Sequence, residues 1–162
     1  MGCDKAYIRV GQSTMLDRIR RAAHQAGLAV RVLVHDMVPG CGPLGGILTG
    51  LSQTQAERVL FLACDMPLVT SPLLAWLARQ PSERGIFVVN QDRPGFPLVL
   101  PRAAVGTVQT QLEKGRFALH LLARKMRAKT VTVPPQWQCQ LANINTRGDL
   151  RRLLLVKEKF VK

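Results

Sequence analysis

The sequence predicts an α/β fold, a three-layer α/β/α sandwich around a mainly parallel sheet, in one domain over residues 1–162. Three observations point there. Segments of helical period alternate with short β-rich segments, the order that lays helices on both faces of a sheet. The run Val59-Leu60-Phe61-Leu62-Ala63-Cys64 is apolar without alternation, as in a strand covered on both faces. No repeat or low-complexity linker divides the chain, and its 47% apolar residues suffice for one core.

Each element has its own signal. Thr14 with Asp17 three residues on forms a capping box; Leu16, Ile19 and Ala23 continue as an apolar stripe, and Gly27 suits the residue just past a helix end. Leu28 to Val34 is Val-rich and reads as a strand leading to His35, Asp36 and the loop Pro39-Gly40-Cys41-Gly42-Pro43-Leu44-Gly45-Gly46, with a helix from about Ile47. Val59 to Cys64 delivers Asp65 at its end. Ser71, with Pro72 at the first helical position, opens a helix through Leu74, Leu77 and Ala78. Ile86 to Asn90 and Phe96 to Leu100 are strands, Ala104 to Glu113 and Phe117 to Met126 helices, and Lys129 to Val133 is again β-rich. Thr146 and Asp149 bracket the start of a last helix through Leu150, Leu153 and Leu154.

Composition narrows the function classes. No apolar run reaches the roughly 18 residues that cross a bilayer, and Met1-Gly2-Cys3-Asp4-Lys5 lacks a signal-peptide layout, so no membrane role and a cytosolic protein are expected. Cys3, Cys41, Cys64 and Cys139 have no metal-ligand or redox spacing and read as reduced, mostly buried thiols. Lys and Arg number 23 against 10 Asp and Glu, a net charge of +13 that favours phosphorylated partners, though a generic basic surface explains it equally. Nucleic acid is disfavoured: aromatics are 5% of the chain and do not interleave with the basic residues.

Candidate chemistry gathers where open α/β sheets place it, beyond the strand ends. Asp65 in Cys64-Asp65-Met66-Pro67 is a costly residue beside a core. It suits a Mg²⁺ site completed by substrate phosphates, or it caps the turn before Pro67, and both readings stand. The glycine-rich loop around Gly42, Pro43 and Leu44 can bring backbone N–H groups to a ligand, but does not fit the P-loop pattern. Asp36 could accept from a sugar or base, or close an Asx turn. Asn143 and Asn145, two apart, present both amides on one side of an extended segment, as ligand groups or as a polar strand edge. His24, His35 and His120 form no catalytic or metal pattern.

Taken in order, Met1-Gly2-Cys3-Asp4-Lys5-Ala6, Pro39-Gly40-Cys41-Gly42-Pro43-Leu44-Gly45-Gly46-Ile47, Cys64-Asp65-Met66-Pro67 and Asn143-Ile144-Asn145-Thr146 closely resemble the molybdenum cofactor guanylyltransferases. The resemblance spans essentially the whole chain. It implies a GT-A-like Rossmann variant that transfers GMP from GTP to the molybdopterin phosphate with Mg²⁺, releasing pyrophosphate, and contacts with other molybdenum cofactor proteins. It makes Lys5 the lysine that neutralises GTP phosphates and, with Asp65, the catalytic pair. Asp36, Gly42, Pro43 and Leu44 would be nucleotide contacts, Asp65 the metal ligand, and Asn143 and Asn145 the pterin-facing amides. CMP transfer to the same pterin, nucleotidyl transfer to a sugar or cobinamide phosphate, and a non-catalytic binding protein are the alternatives.

Two departures from the family pattern set further expectations. The family carries a strand and an L-A-G-G loop ahead of the M-G-x-D-K stretch, whereas this sequence opens at that stretch, so the fold is expected to be N-terminally incomplete. The family also has a further strand between the helix ending near Gly27 and the segment Leu28 to Val34. Its loss should leave apolar residues exposed.

Overall fold

The computed structural model describes residues 7–146, 148 and 149. Lys5 and Cys3 lie outside the described residues, as does the expected helix through Leu150, Leu153 and Leu154. The chain divides into two compact units, Met1–Val30 with Ala63–Ala75 and Pro135–Lys162, and Arg31–Leu62 with Trp76–Pro134.

The first unit opens with a short antiparallel hairpin, β1 (Arg9–Val10) and β2 (Ser13–Thr14), turned at Gly11, whose φ of 70° only glycine adopts cheaply. Helix α1 (Met15–Gln25) follows from the capping box as expected. The Thr14 hydroxyl accepts from the Asp17 N–H at 3.0 Å, and the Asp17 carboxylate accepts from the Thr14 N–H at 3.3 Å and its hydroxyl at 2.6 Å. Met15, Ile19, Ala22 and Ala23 are its buried face, while Leu16 is half-buried. Gly27, at φ 75°, ends the helix, with the Leu28 N–H donating back to the Ala23 carbonyl at 3.1 Å. Val10, Met15 and Ile144 form a small core here, flanked by Ile8 and Leu68. The segment Pro135–Leu141 is a 3-10 helix that the sequence did not announce. Its buried Gln140 accepts from both the N–H and the hydroxyl of Thr70, at 3.0 and 2.9 Å, just before α3 (Ser71–Arg79).

The second unit is a four-stranded sheet with helices. Helix α2 (Pro43–Ser52) precedes β3 (Arg58–Phe61); β4 (Ile86–Asn90), β5 (Arg93–Pro101), α4 (Val105–Glu113), α5 (Leu119–Met126) and β6 (Lys129–Val131) follow. The strand order is β3-β5-β4-β6. In this register Phe87 and Phe61 both face Leu98. These side chains and Leu100 join Leu44, Ile47 and Leu51 of α2, Val108 of α4 and Leu122 of α5 in one core. Ile86 and Val99, which alternate to the other face, are also buried, so both faces of the sheet are covered. Gly50 lets α2 approach closely: a Cβ there would lie 2.6 Å from the Phe61 ring.

The α/β class therefore holds, with three corrections of detail. The sheet is mixed rather than mainly parallel: β5 is antiparallel to both β3 and β4, and only β4 with β6 is parallel. The cause is the link between β4 and β5, two residues, Gln91 and Asp92, with φ of 50° and 59°, a tight hairpin turn that can only reverse the chain. Second, Leu28 to Val34 forms no ladder. The Val pattern alone cannot make a strand without a partner edge, and Val32 and Val34 are 40% and 74% exposed, the apolar exposure anticipated for a missing neighbouring strand. Third, the strand expected over Val59 to Cys64 spans Arg58–Phe61, and α2 begins at Pro43 rather than Ile47. Proline at the first helical position has no N–H to lose, so the helix starts earlier than its glycines suggest.

Candidate active site

In the first unit, Asp65 is presented by a turn. The Met66 N–H donates to the Ala63 carbonyl at 3.3 Å, leaving Cys64 and Asp65 at the apex. Met66 and Pro67 are buried and anchor the turn, and Asp65 is half-buried, with its Oδ1 atom closed off from solvent. Cys64 is exposed, as is Cys139, and Cys41 is half-buried, so the described thiols are not the buried ones expected: each lies in a loop or short 3-10 segment rather than in the core. The Asp65 carbonyl accepts from the Ile144 N–H at 2.8 Å. That bond fastens the Asn143-Ile144-Asn145 segment to the Asp65 turn. Ile144 is buried against Val10 and Met15, and Asn143 and Asn145 on either side of it are exposed, as are Ala142 and Thr146. Next along, the Asp149 carboxylate accepts from the N–H groups of Asn145 and Thr146 at 3.1 and 2.9 Å, and the Thr146 hydroxyl from the Asp149 N–H at 3.0 Å, the expected capping box. Of the expected site residues, the structure thus brings Asp65, Asn143 and Asn145 together.

In the second unit, the glycine-rich segment is split by the helix start. Gly40 and Gly42 lie in the loop with φ of 77° and 57°, while Gly45 and Gly46 fall in the first turn of α2. Gly42 is the N-cap residue and has no side chain to satisfy the first N–H groups, so this end carries the helix dipole's positive pole without an internal cap. Asp36 lies over that turn. A Cβ built on Gly45 would stand 3.0 Å from Asp36 Oδ2 and 2.7 Å from the Val38 carbonyl oxygen, and one on Gly46 would stand 3.3 Å from Asp36 Oδ1. Asp36, Gly42 and Pro43 are exposed, whereas Leu44 is fully buried in the core, so its side chain is structural and only its backbone can serve a ligand. Sequence reasoning missed Thr49. Its buried hydroxyl donates to the Gly45 carbonyl at 2.9 Å and accepts the Met37 N–H at 2.8 Å, tying the Asp36 segment to α2. A threonine one turn beyond Gly45, on the face that carries the glycines, was the available signal.

The match to known proteins is decisive for the family: residues 1–129 fit the family described as the MobA-like NTP transferase domain. The chain belongs to the MobA-like NTP transferase family. A relative from Methanothermobacter thermautotrophicus, named probable molybdenum cofactor guanylyltransferase, is 53% identical over 131 residues, 75% of this chain. This chain spans 66% of that relative's length, and 65% of a relative of the same name from Flavobacterium johnsoniae, which is 29% identical over 123 residues, 74% of this chain. Among solved structures, the molybdopterin-guanine dinucleotide biosynthesis protein A of Archaeoglobus fulgidus has a similar fold, at TM-score 0.72 and 17% identity, covering 98% of this chain and 93% of that one. A Mycobacterium tuberculosis structure in complex with manganese shares it too, at TM-score 0.65 and 20% identity over 95% of this chain and 93% of that one. Within the MobA-like family, the α/β fold of this chain is that of a nucleotidyltransferase. No helix among its described residues is long and apolar enough to cross a membrane.

Proposed function

We propose that this chain is a molybdenum cofactor guanylyltransferase, joining GMP from GTP to the terminal phosphate of molybdopterin. The observation that carries the reading is the backbone hydrogen bond that joins the Asp65 turn to the Asn143-Ile144-Asn145 segment, which puts a half-buried carboxylate and two exposed asparagines on neighbouring stretches of one compact unit. It is supported by the family to which the chain belongs and by its relatives' names.

In the reaction an oxygen of the molybdopterin phosphate attacks the α-phosphorus of GTP. The new P–O bond forms as the bond to the bridging oxygen of the β-phosphate breaks, and pyrophosphate leaves with that electron pair. Such a step requires positioning and charge neutralisation, with no covalent nucleophile on the protein. Among the described residues no three His, Cys, Asp or Glu side chains cluster as a metal cage. A single carboxylate is nonetheless the donor set that suits Mg²⁺, which keeps waters and takes its other ligands from substrate phosphates. Asp65 would hold it, and when bound it would neutralise charge on the α-phosphate. Lys5 would neutralise the remaining phosphates. Asp36 would accept hydrogen bonds from the nucleotide beside the uncapped start of α2, with the backbone of Gly42, Pro43 and Leu44 lining that approach. Asn143 and Asn145 would pair with the donor and acceptor edge of the pterin.

The test is product formation. The purified chain with GTP, Mg²⁺ and molybdopterin should yield the guanine dinucleotide and pyrophosphate, and CTP should not replace GTP. Absence of product, together with absence of Mg²⁺-dependent GTP binding in calorimetry, defeats the assignment.

A further inference from the structure

In the second unit, helix α5 turns a row of basic side chains outward. His120, Arg124 and Arg127 are spaced four and three apart, so they follow one face of the helix to its end, with Lys125 beside them, and all four are exposed. The opposite face is committed to the core through Leu122 and Ala123, with Leu119 and Met126 packed alongside. Between Glu113 and Asp149 the sequence carries no Asp or Glu, and the Glu113 carboxylate is engaged by the Gln109 amide at 3.3 Å. Among the described residues none of the four basic side chains makes an ion pair or a hydrogen bond. The helix dipole accounts for Arg124 and Lys125 in the last turn. It does not account for Arg127, whose φ of 50° and ψ of 42° put it in the left-handed region where glycine usually closes a helix. An arginine there sits against its backbone preference, which points to a use for its side chain at the surface. We infer that this face of α5 docks an acidic segment of a partner protein. Carboxylates match the guanidinium forks of Arg124 and Arg127. A bilayer would need an apolar helix face to enter, and that of α5 is buried. From His120 to Arg127 the row runs about 10 Å, too short to track a duplex backbone. Over residues 114–128 Phe117 is the one aromatic residue, so stacked single strands find no platform.

The probe is a fluorescein-labelled glutamate-rich peptide, titrated by fluorescence anisotropy at low ionic strength, with a double-stranded DNA oligomer and phosphatidylserine vesicles as competing polyanions. No nucleotide substrate or metal enters the experiment, so its result is separate from that of the guanylyl-transfer assay. The wild-type chain should bind the peptide more tightly than either competitor. Arg124→Gln with Arg127→Gln should weaken peptide binding about tenfold. Arg20→Gln with Arg93→Gln removes the same charge from two exposed positions off this helix and should change binding by less than about twofold. Arg127→Gly separates the use of the side chain from its place in the fold. Glycine suits the left-handed turn, so this variant should unfold at a higher temperature than the wild type and yet bind the peptide severalfold more weakly. No peptide binding by the wild-type chain, an equal loss in the two double variants, tighter binding of DNA or vesicles than of the peptide, or an Arg127→Gly chain that binds as the wild type does overturns the inference.

Discussion

Gly45→Ala tests whether Asp36 is placed by the close approach of its segment to α2. Alanine is a better helix former than glycine by about 1 kcal/mol, so propensity alone predicts stabilisation. Sterics oppose it: the new Cβ would lie 2.7 Å from the Val38 carbonyl oxygen and 3.0 Å from Asp36 Oδ2. The carbonyl belongs to the backbone and cannot rotate away, so the whole segment must shift, at the roughly 1–3 kcal/mol that overpacking costs. The net expectation is a loss of up to about 2 kcal/mol, with Asp36 displaced. Gly106→Ala in α4 supplies the control, since nothing lies within 4 Å of its Cβ position and it should show the propensity gain alone. Urea unfolding of both variants, with GTP titration alongside, gives the comparison. At about 2–4 °C per kcal/mol the difference is also visible in Tm. If Gly45→Ala is as stable as Gly106→Ala and binds GTP as the wild type does, Asp36 is not held by this contact.

Asp65→Asn should leave the fold intact and lower guanylyl transfer by about a hundredfold or more, the scale of losing several kcal/mol of charge stabilisation, as read from single-turnover rates at saturating GTP. Thr49→Val removes the hydroxyl that bonds both Gly45 and Met37 and should cost about 1–2 kcal/mol in denaturant unfolding while raising the KM for GTP more than it lowers kcat. Ile144→Ala empties a buried position between Asn143 and Asn145; it should cost about 2–4 kcal/mol and weaken molybdopterin binding, and an unchanged affinity would show that the amides are not positioned through it. In α1 the Thr14 hydroxyl, and after it the Thr14 N–H, hold the Asp17 carboxyl below its ordinary value of 3.8. A depressed carboxylate contributes stability above its unfolded pKa and loses it as pH falls through the folded one. Thr14→Ala should therefore raise the Asp17 pKa in an NMR titration and flatten the acid limb of the stability profile below about pH 4.

Much of the architecture was legible because it is local. The Thr14 and Asp17 pair, Gly27 in its left-handed turn, and Ser71 with Pro72 each fix a helix boundary with atoms a few residues apart, and β4 lies at Ile86–Asn90 as its pattern required. Two readings of the sheet failed, one for a non-local reason and one for a local turn. Leu28 to Val34 carries strand-forming residues, but a ladder is a property of two segments, and no described strand lies beside it. The sheet's direction was misjudged because the Gln91-Asp92 turn has none of the usual Asn-Gly or Asp-Gly signal. The site divides similarly. Asn143 and Asn145 were paired from spacing, whereas the bond from Ile144 to Asp65 joins positions far apart in sequence and needed coordinates. Lys5, whose role rests on resemblance alone, lies outside the described residues.

One physical arrangement recurs in both units: an interior residue with no proposed chemical role helps to place a proposed site residue. Ile144 is apolar and buried, and it anchors the stretch whose neighbouring asparagines are exposed. Thr49 and Gly45 are likewise interior, and by the space they leave and the bonds they make they hold the segment that carries Asp36. Substitutions of these interior residues should therefore move substrate affinity and stability together, whereas Asp65, which half faces solvent at a turn apex, should separate them: rate falls and stability stays. That contrast distinguishes a group that meets the reacting phosphates from one that merely places such a group.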